Sequence, residues 1–130
     1  MSKYYEFRDV ESNQLRICQA WGLKDPVNGS TALKQAEKAL EEVGELMTAL
    51  GAHSALVQLA SEDTYVLEYQ ELRAKAYTDV LDALGDITVC LVNVCDQLDV
   101  DLVHDCYGPA VDVISKRKGK MVKGKFVKDE

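Results

Sequence analysis

Between Glu71 and Leu98 the chain runs without a proline and with a single glycine, Gly85. Apolar residues there (Val80, Leu81, Leu84, Ile87, Val89, Leu91, Val92, Val94) fall on most sides of a helix rather than on one stripe. A helix of that kind must be covered on several sides, as at the centre of a bundle or at a subunit interface. Interrupting it are Lys75, Asp79, Asp82 and Asp86, spaced by threes and fours and so lying on one stripe that Asn93 extends. Carboxylates on a largely buried helix need partners or a cation. Asp is also a poor interior helix residue, which argues against a merely solvated face.

The rest of the chain points the same way. Proline occurs only at Pro26 and Pro109, and no strand-like alternation of more than a few residues appears before residue 120. A first helix is expected from about Asp9, its cap, to Trp21, with Leu15, Cys18 and Trp21 on one face. A loop follows through Lys24-Asp25-Pro26 and Asn28-Gly29. The second helix starts at Ser30 or Thr31 and is expected to stop near Leu50 at Gly51; its apolar stripe is Leu33, Ala36, Leu40, Val43, Met47 and Leu50. From Ala52 to Tyr77 the pattern reads as a short extra helix, a turn at Ser61-Glu62-Asp63-Thr64 and a lead-in to the long helix. Asp99 or Asp101 can cap a last helix reaching Lys118, with a kink or restart at Gly108-Pro109. The closing residues, from Lys120 to Val127, read as two short extended pieces about a Gly turn, as a hairpin or an arm. The fold class is therefore all-α: a helical bundle of four or five helices with a short C-terminal extended or hairpin tail.

At 130 residues the chain suits a single domain, residues 1–130, with an N-terminal tail 1–8 and a basic tail 119–130. No apolar run approaches the roughly 20 residues of a membrane span. The opening MSKYYEFRDV lacks the apolar stretch of a signal peptide, so a cytoplasmic location is expected. Cys18, Cys90, Cys95 and Cys106 form no C-x-x-C, and buried free thiols are the expectation.

Charge is divided along the chain. Residues 1–115 hold 8 Lys and Arg against 20 Asp and Glu, a balance of −12; residues 116–130 hold 7 against 2, a balance of +5. An acidic body is a poor surface for duplex nucleic acid, whose affinity comes largely from neutralising phosphates, and suits cations instead.

The second helix carries Lys38, Glu41, Glu42 and Glu45 as K-x-x-E-E-x-x-E. At about 100° per residue, Glu42 and Glu45 fall within about 60° of each other, with Glu41 at their margin. Like-charge repulsion on one turn opposes folding, and a bound cation relieves it. With no His or Cys nearby, the oxygen-only set points to Mg²⁺, Mn²⁺ or Ca²⁺ rather than zinc or copper. Two acidic stripes facing each other would make a metal cleft between antiparallel helices, where bundles build such sites. A solvated acidic face laced with Lys34 and Lys38 is the plainer alternative for the Glu stripe. Lys116-Arg117-Lys118-Gly119-Lys120 either complements a helix dipole or binds phosphate.

Taken in order, Lys38-x-x-Glu41-Glu42-x-x-Glu45-Leu46, Asp82-Ala83-Leu84-Gly85-Asp86 and Arg117-Lys118-Gly119-Lys120-Met121-Val122-x-Gly124-x-Phe126-Val127 resemble the MazG-like nucleoside triphosphate pyrophosphohydrolases. The likeness is to the small, single-domain phage type and covers about Trp21 to Lys128. It implies an all-α dimer or tetramer that uses Mg²⁺ to split a nucleoside triphosphate into monophosphate and pyrophosphate; the oxygen-only ligand set admits Mn²⁺ as a substitute. It also implies metal ligation by Glu42, Glu45 and Asp86, with Glu41 and Lys38 matching the first acid and the preceding lysine of the motif. This chain departs at Ala83, where the family's E-x-x-D has its first acid, and Asp82 is the nearest substitute. It departs again at Asp112, which stands where an Asn is common.

The expected assignment is accordingly Glu42, Glu45, Asp82 and Asp86 to the metal, and Glu41 to the attacking water. Lys38, Arg117 and Lys118 are assigned to phosphate. Two other classes compete: a catalytically silent helical partner protein, and a di-iron carboxylate bundle, for which the chain offers only Asp101-x-x-His104.

Overall fold

The computed structural model describes residues 4–61 and 67–130. The described chain is mostly helical, with four α-helices and a small two-stranded antiparallel sheet at its C-terminal end, the all-α class expected. It divides into two compact units, residues 1–98 and 99–130.

The first unit holds α1 (Phe7–Ala20), α2 (Ala32–Ser61) and α3 (Leu67–Gln97). Helix α1 begins before Asp9, which lies in its first turn, and the capping position is taken by Glu6 without a side-chain bond. Trp21 closes the helix, donating its backbone N–H to Ile17 O at 3.0 Å. Thr31 is the cap of α2: its Oγ1 accepts from Lys34 N at 3.1 Å, which satisfies one of the helix's orphan N–H groups.

Gly51 does not end α2. The helix continues to Ser61 and absorbs the extra helix expected after Ala52. A glycine inside a helix costs only about 1 kcal/mol relative to alanine. Packing against α3 on both sides of that residue outweighs this cost, since Ala49 is buried before it and His53 meets the Tyr77 ring, centroids 5.8 Å apart, after it. The turn expected at Ser61-Glu62-Asp63-Thr64 lies outside the described residues from 62 onward.

Helices α2 and α3 run antiparallel, in a register set by two contacts. Gln35 meets Asn93 near one end, and His53 meets Tyr77 toward the other. The buried seam is made of small residues: Ala39 and Ala49 from α2, and Ala76, Val80, Ala83, Cys90 and Val92 from α3. No large side chain is fully buried among the described residues. The apolar stripe of α2 is turned the other way, with Leu33, Leu40 and Met47 each about 70% exposed (69%, 73% and 69%). Helix α1 joins through polar groups: Gln14 Nε2 donates to Val89 O at 2.8 Å and to Asn93 Oδ1 at 3.0 Å.

The second unit opens with a π-helical turn, Leu102–Tyr107, which passes directly into α4 (Gly108–Ser115). Asp101 caps the turn by accepting from His104 N at 2.7 Å, and Asp105 Oδ2 accepts from Asp101 N at 2.7 Å. The Asp101-x-x-His104 spacing is thus a capping arrangement. Helix α4 stops at Ser115, short of Lys118. A hairpin follows, β1 (Gly119–Val122) paired antiparallel with β2 (Lys125–Lys128). Its two-residue turn, Lys123-Gly124, has φ of 50° and 81°, the pair of positive values that a type I′ turn needs to match strand twist. Cys18 and Cys90 are buried thiols as expected, Cys95 is half-buried, and Cys106 is exposed.

Candidate metal centre

One turn of α2 and one of α3 supply the acidic groups. From the Gln35–Asn93 contact, seven residues forward along α2 and seven back along α3 arrive at Glu42 and Asp86. Two turns of helix separate each pair, about 10 Å at 1.5 Å per residue. Between the helices lies an open groove of about 790 Å³, lined by Glu41, Glu45, Asp79, Asp82 and Asp86. Gly44, Thr48, Ala49, Ala52, Ala76 and Ala83 form the rest of its wall, and their small side chains keep it open.

Glu42 is the unusual member. It is only 5% exposed, and its Oε2 is buried with no hydrogen-bond donor. The other oxygen, Oε1, lies 3.4 Å from Lys38 Nζ, which also reaches Glu41 Oε2 at 3.1 Å. Lys38 is held in its charged form above the ordinary lysine range, chiefly by its hydrogen bonds to Glu41 and Glu42. Leaving a buried carboxylate oxygen unsatisfied is costly in general, so this oxygen is suited to a proton donor or a cation.

Glu45 responds to the crowding. Its carboxyl is pushed above the ordinary glutamate value of 4.5, first by hydrogen bonding to Glu42, then by the Glu42 charge and by desolvation; Asp86 adds to the rise and Lys38 opposes it. A proton on Glu45 gives Glu42 the donor it otherwise lacks. A cation at the same place would do so more strongly, by drawing both carboxylates at once. The Cys90 thiol is pushed up mainly by burial and next by the charge of Glu42, so it is no ready nucleophile.

Of the expected ligands, Glu45, Asp82 and Asp86 share the groove, and Glu42 stands beside Glu45. Asp79 also lines it but is engaged by Lys75, Nζ to Oδ2 at 3.0 Å. Ala83 is 4% exposed in the wall of the groove, so the position that carries an acid in the motif lines the site here without one. Among the described residues, no three acidic, His or Cys groups stand together so as to hold a metal ion. The donor set still fits a hard cation. Mg²⁺ takes oxygen ligands, needs only one or two carboxylates from protein, and keeps several waters that substrate phosphates can replace. Arg117 and Lys118 are exposed residues of the second unit, between α4 and β1.

Sequence reasoning gave the carboxylates but missed how the loop before α2 and its amides are arranged. Asn93 Nδ2 donates to Gln35 Oε1 at 3.1 Å, and Gln35 Nε2 donates to Ser30 Oγ at 2.9 Å. Gln97 Nε2 reaches Leu23 O at 3.3 Å and Ser30 O at 3.2 Å. The one signal in the sequence was Asn93, a polar residue continuing the acidic stripe of an apolar helix.

Compared with protein-family models, with curated proteins and with solved structures, the chain matches none.

Proposed function

We propose that the protein is a Mg²⁺-dependent nucleoside triphosphate pyrophosphohydrolase, converting a nucleoside triphosphate and water to a monophosphate and pyrophosphate. The observation that carries this reading is the Glu42–Glu45 pair: a buried carboxylate oxygen without a donor, next to a carboxyl whose proton affinity is raised by it and which lines a groove with further acids. The order of the three MazG-like motifs supplies the reaction class.

Glu42 and Glu45 would hold the cation, with Asp86 and Asp82 as further ligands directly or through water. Bound there, Mg²⁺ would neutralise phosphate charge and lower the pKa of a coordinated water. Glu41 lines the groove one residue before the buried Glu42, with its side chain 68% exposed, and can orient or accept a proton from the attacking water. Lys38 already bridges two carboxylates and is 54% exposed, so it can exchange one of them for a phosphate oxygen. Arg117 and Lys118 are assigned to phosphate on the strength of the motif resemblance alone.

Self-association belongs to the same proposal. Leu33, Leu40, Val43, Met47 and Leu50 on α2 and Leu81, Leu84 and Leu91 on α3 all lie exposed. Covering them removes apolar surface from water, a gain of roughly 25 cal/mol per Å², and a second copy of the chain is the partner proposed, giving a dimer or tetramer. No helix among the described residues is long and apolar enough to cross a membrane.

Isothermal calorimetry with Mg²⁺ and each common triphosphate, followed by analysis of the products, tests the reading. Metal-dependent binding with release of pyrophosphate supports it. A chain that binds neither Mg²⁺ nor any triphosphate is the silent partner protein instead.

A further inference from the structure

A second cavity of the first unit, about 320 Å³, opens on the side of the α2–α3 seam where α1 and the loop before α2 meet. Its walls include Trp21, Gly29, Ser30, Gln35, Val89 and Asn93. It lies two helical turns from Glu42 on α2 and two from Asp86 on α3, about 10 Å along each axis. We infer that this cavity takes the nucleobase of the substrate, with Trp21 as the stacking surface and the Gln35–Asn93 amide pair reading the base edge. The inference rests on the reading of Glu42, Glu45 and Asp86 as the phosphate-side metal centre.

The amides have capacity left for a ligand. A carboxamide offers two N–H donors and two acceptor lone pairs. Asn93 gives one donor to Gln35 and takes one bond from Gln14; Gln35 takes that bond from Asn93 and gives one to Ser30. Each keeps one N–H and one lone pair, and both line the cavity. A paired donor and acceptor on a planar group is the pattern by which Asn and Gln recognise base edges. Because Gln14, Gln35 and Ser30 fix the orientation of these amides, the ligand need not order them on binding.

The loop is built to hold that shape. Asp25 Oδ1 accepts from Val27 N at 2.8 Å and Asn28 N at 3.0 Å, bonds that keep its carboxyl below the ordinary range. Gly29 folds back so closely that a Cβ there would lie 2.5 Å from both Asp25 O and Leu23 O. Trp21 remains 80% exposed at the rim, an apolar plane that no described residue of the first unit covers. An exposed indole beside paired amides suits a flat, hydrogen-bonding ring; stacking of a base on an aromatic side chain contributes about 1–3 kcal/mol.

Trp21 is the only tryptophan, so its fluorescence reports on the cavity directly. Titration with AMP, GMP, CMP, UMP and dTMP in the absence of metal is expected to quench it saturably for at least one base. One base should be preferred over the weakest by about ten-fold or more. Inorganic tripolyphosphate, which has no base, should leave the fluorescence unchanged with or without Mg²⁺. By calorimetry, Trp21→Ala should weaken the preferred nucleotide by about ten-fold while Trp21→Phe keeps most of the affinity. Gln35→Glu, which replaces a donor by an acceptor, should change which base is preferred. Absence of saturable quenching by all five nucleotides overturns the inference, as does full nucleotide affinity in Trp21→Ala. Binding of Mg²⁺-tripolyphosphate separates the two readings: if it binds and no nucleotide quenches, the metal centre stands and the base cavity falls; if nucleotides quench and it does not bind, the reverse holds.

Discussion

Glu42 and Glu45 stand one helical turn apart on α2, and the buried carboxylate of the first holds the carboxyl of the second above the usual glutamate range. Two acids so placed are a liability to the fold unless a proton or a cation joins them. Removing either charge should therefore help the empty protein and harm the working one. Glu42→Gln and Glu45→Gln should each raise the melting temperature without metal or leave it unchanged. Turnover should fall on the order of 100-fold or more, as expected on losing a ligand of a catalytic ion. Thermal melts and initial rates on the same preparations check both halves.

The same pair sets a pH dependence. Because the folded-state value of Glu45 is raised, its contribution to stability is fully present below the ordinary value of 4.5 and is lost as pH rises through the raised value. The metal-free protein should accordingly lose stability relative to Glu45→Gln as pH increases across that window. Mg²⁺ competes with the proton, so its affinity should fall as pH drops through the same window, more steeply in the unmodified protein than in Glu45→Gln. Calorimetric Mg²⁺ titrations at a series of pH values measure the difference.

Asp82, Asp86 and Asp79 all line the groove, yet they are not equivalent. Asp79 is already paired with Lys75, and Asp82 lies one turn from Asp86. Asp82→Asn should weaken Mg²⁺ binding and turnover nearly as much as Asp86→Asn, and Asp79→Asn much less. Ala83→Glu should be tolerated or activating, because the Ala83 side chain lines the same groove as Glu45 and a longer acid there can reach it. If Asp82→Asn changes nothing while Asp86→Asn abolishes binding, water or substrate completes the shell in its place.

Much of this was legible in the residues, though not all of it. The spacing of Glu41, Glu42 and Glu45 and of Asp82 and Asp86 is a property of helical period, so the two acidic stripes followed from sequence. The extent of α2 did not, because Gly51 is a local signal and the pairing with α3 that overrides it is tertiary. Nor did the makeup of the α2 seam: Ala39, Glu42 and Ala49 are buried there, while Leu40 and Met47 of the apolar stripe face outward. Small residues let two helices approach closely, and a periodicity count weighted by side-chain size underrates them.

That outward stripe carries a prediction of its own. Light scattering at micromolar concentration should give a mass of at least twice the 14.4 kDa of one chain. Leu40→Asp with Met47→Asp should shift it toward one chain and lower the melting temperature, since charges placed in an apolar contact are costly. A monomer for the unmodified protein would remove self-association from the account.

The site of water attack tests the central claim most directly. If the acidic groove and its cation activate water against the α-phosphorus, hydrolysis of the preferred triphosphate in ¹⁸O-water with Mg²⁺ should place the label in the monophosphate and none in the pyrophosphate, as read by ³¹P NMR isotope shifts. Label in pyrophosphate, or release of orthophosphate and a diphosphate, would contradict it.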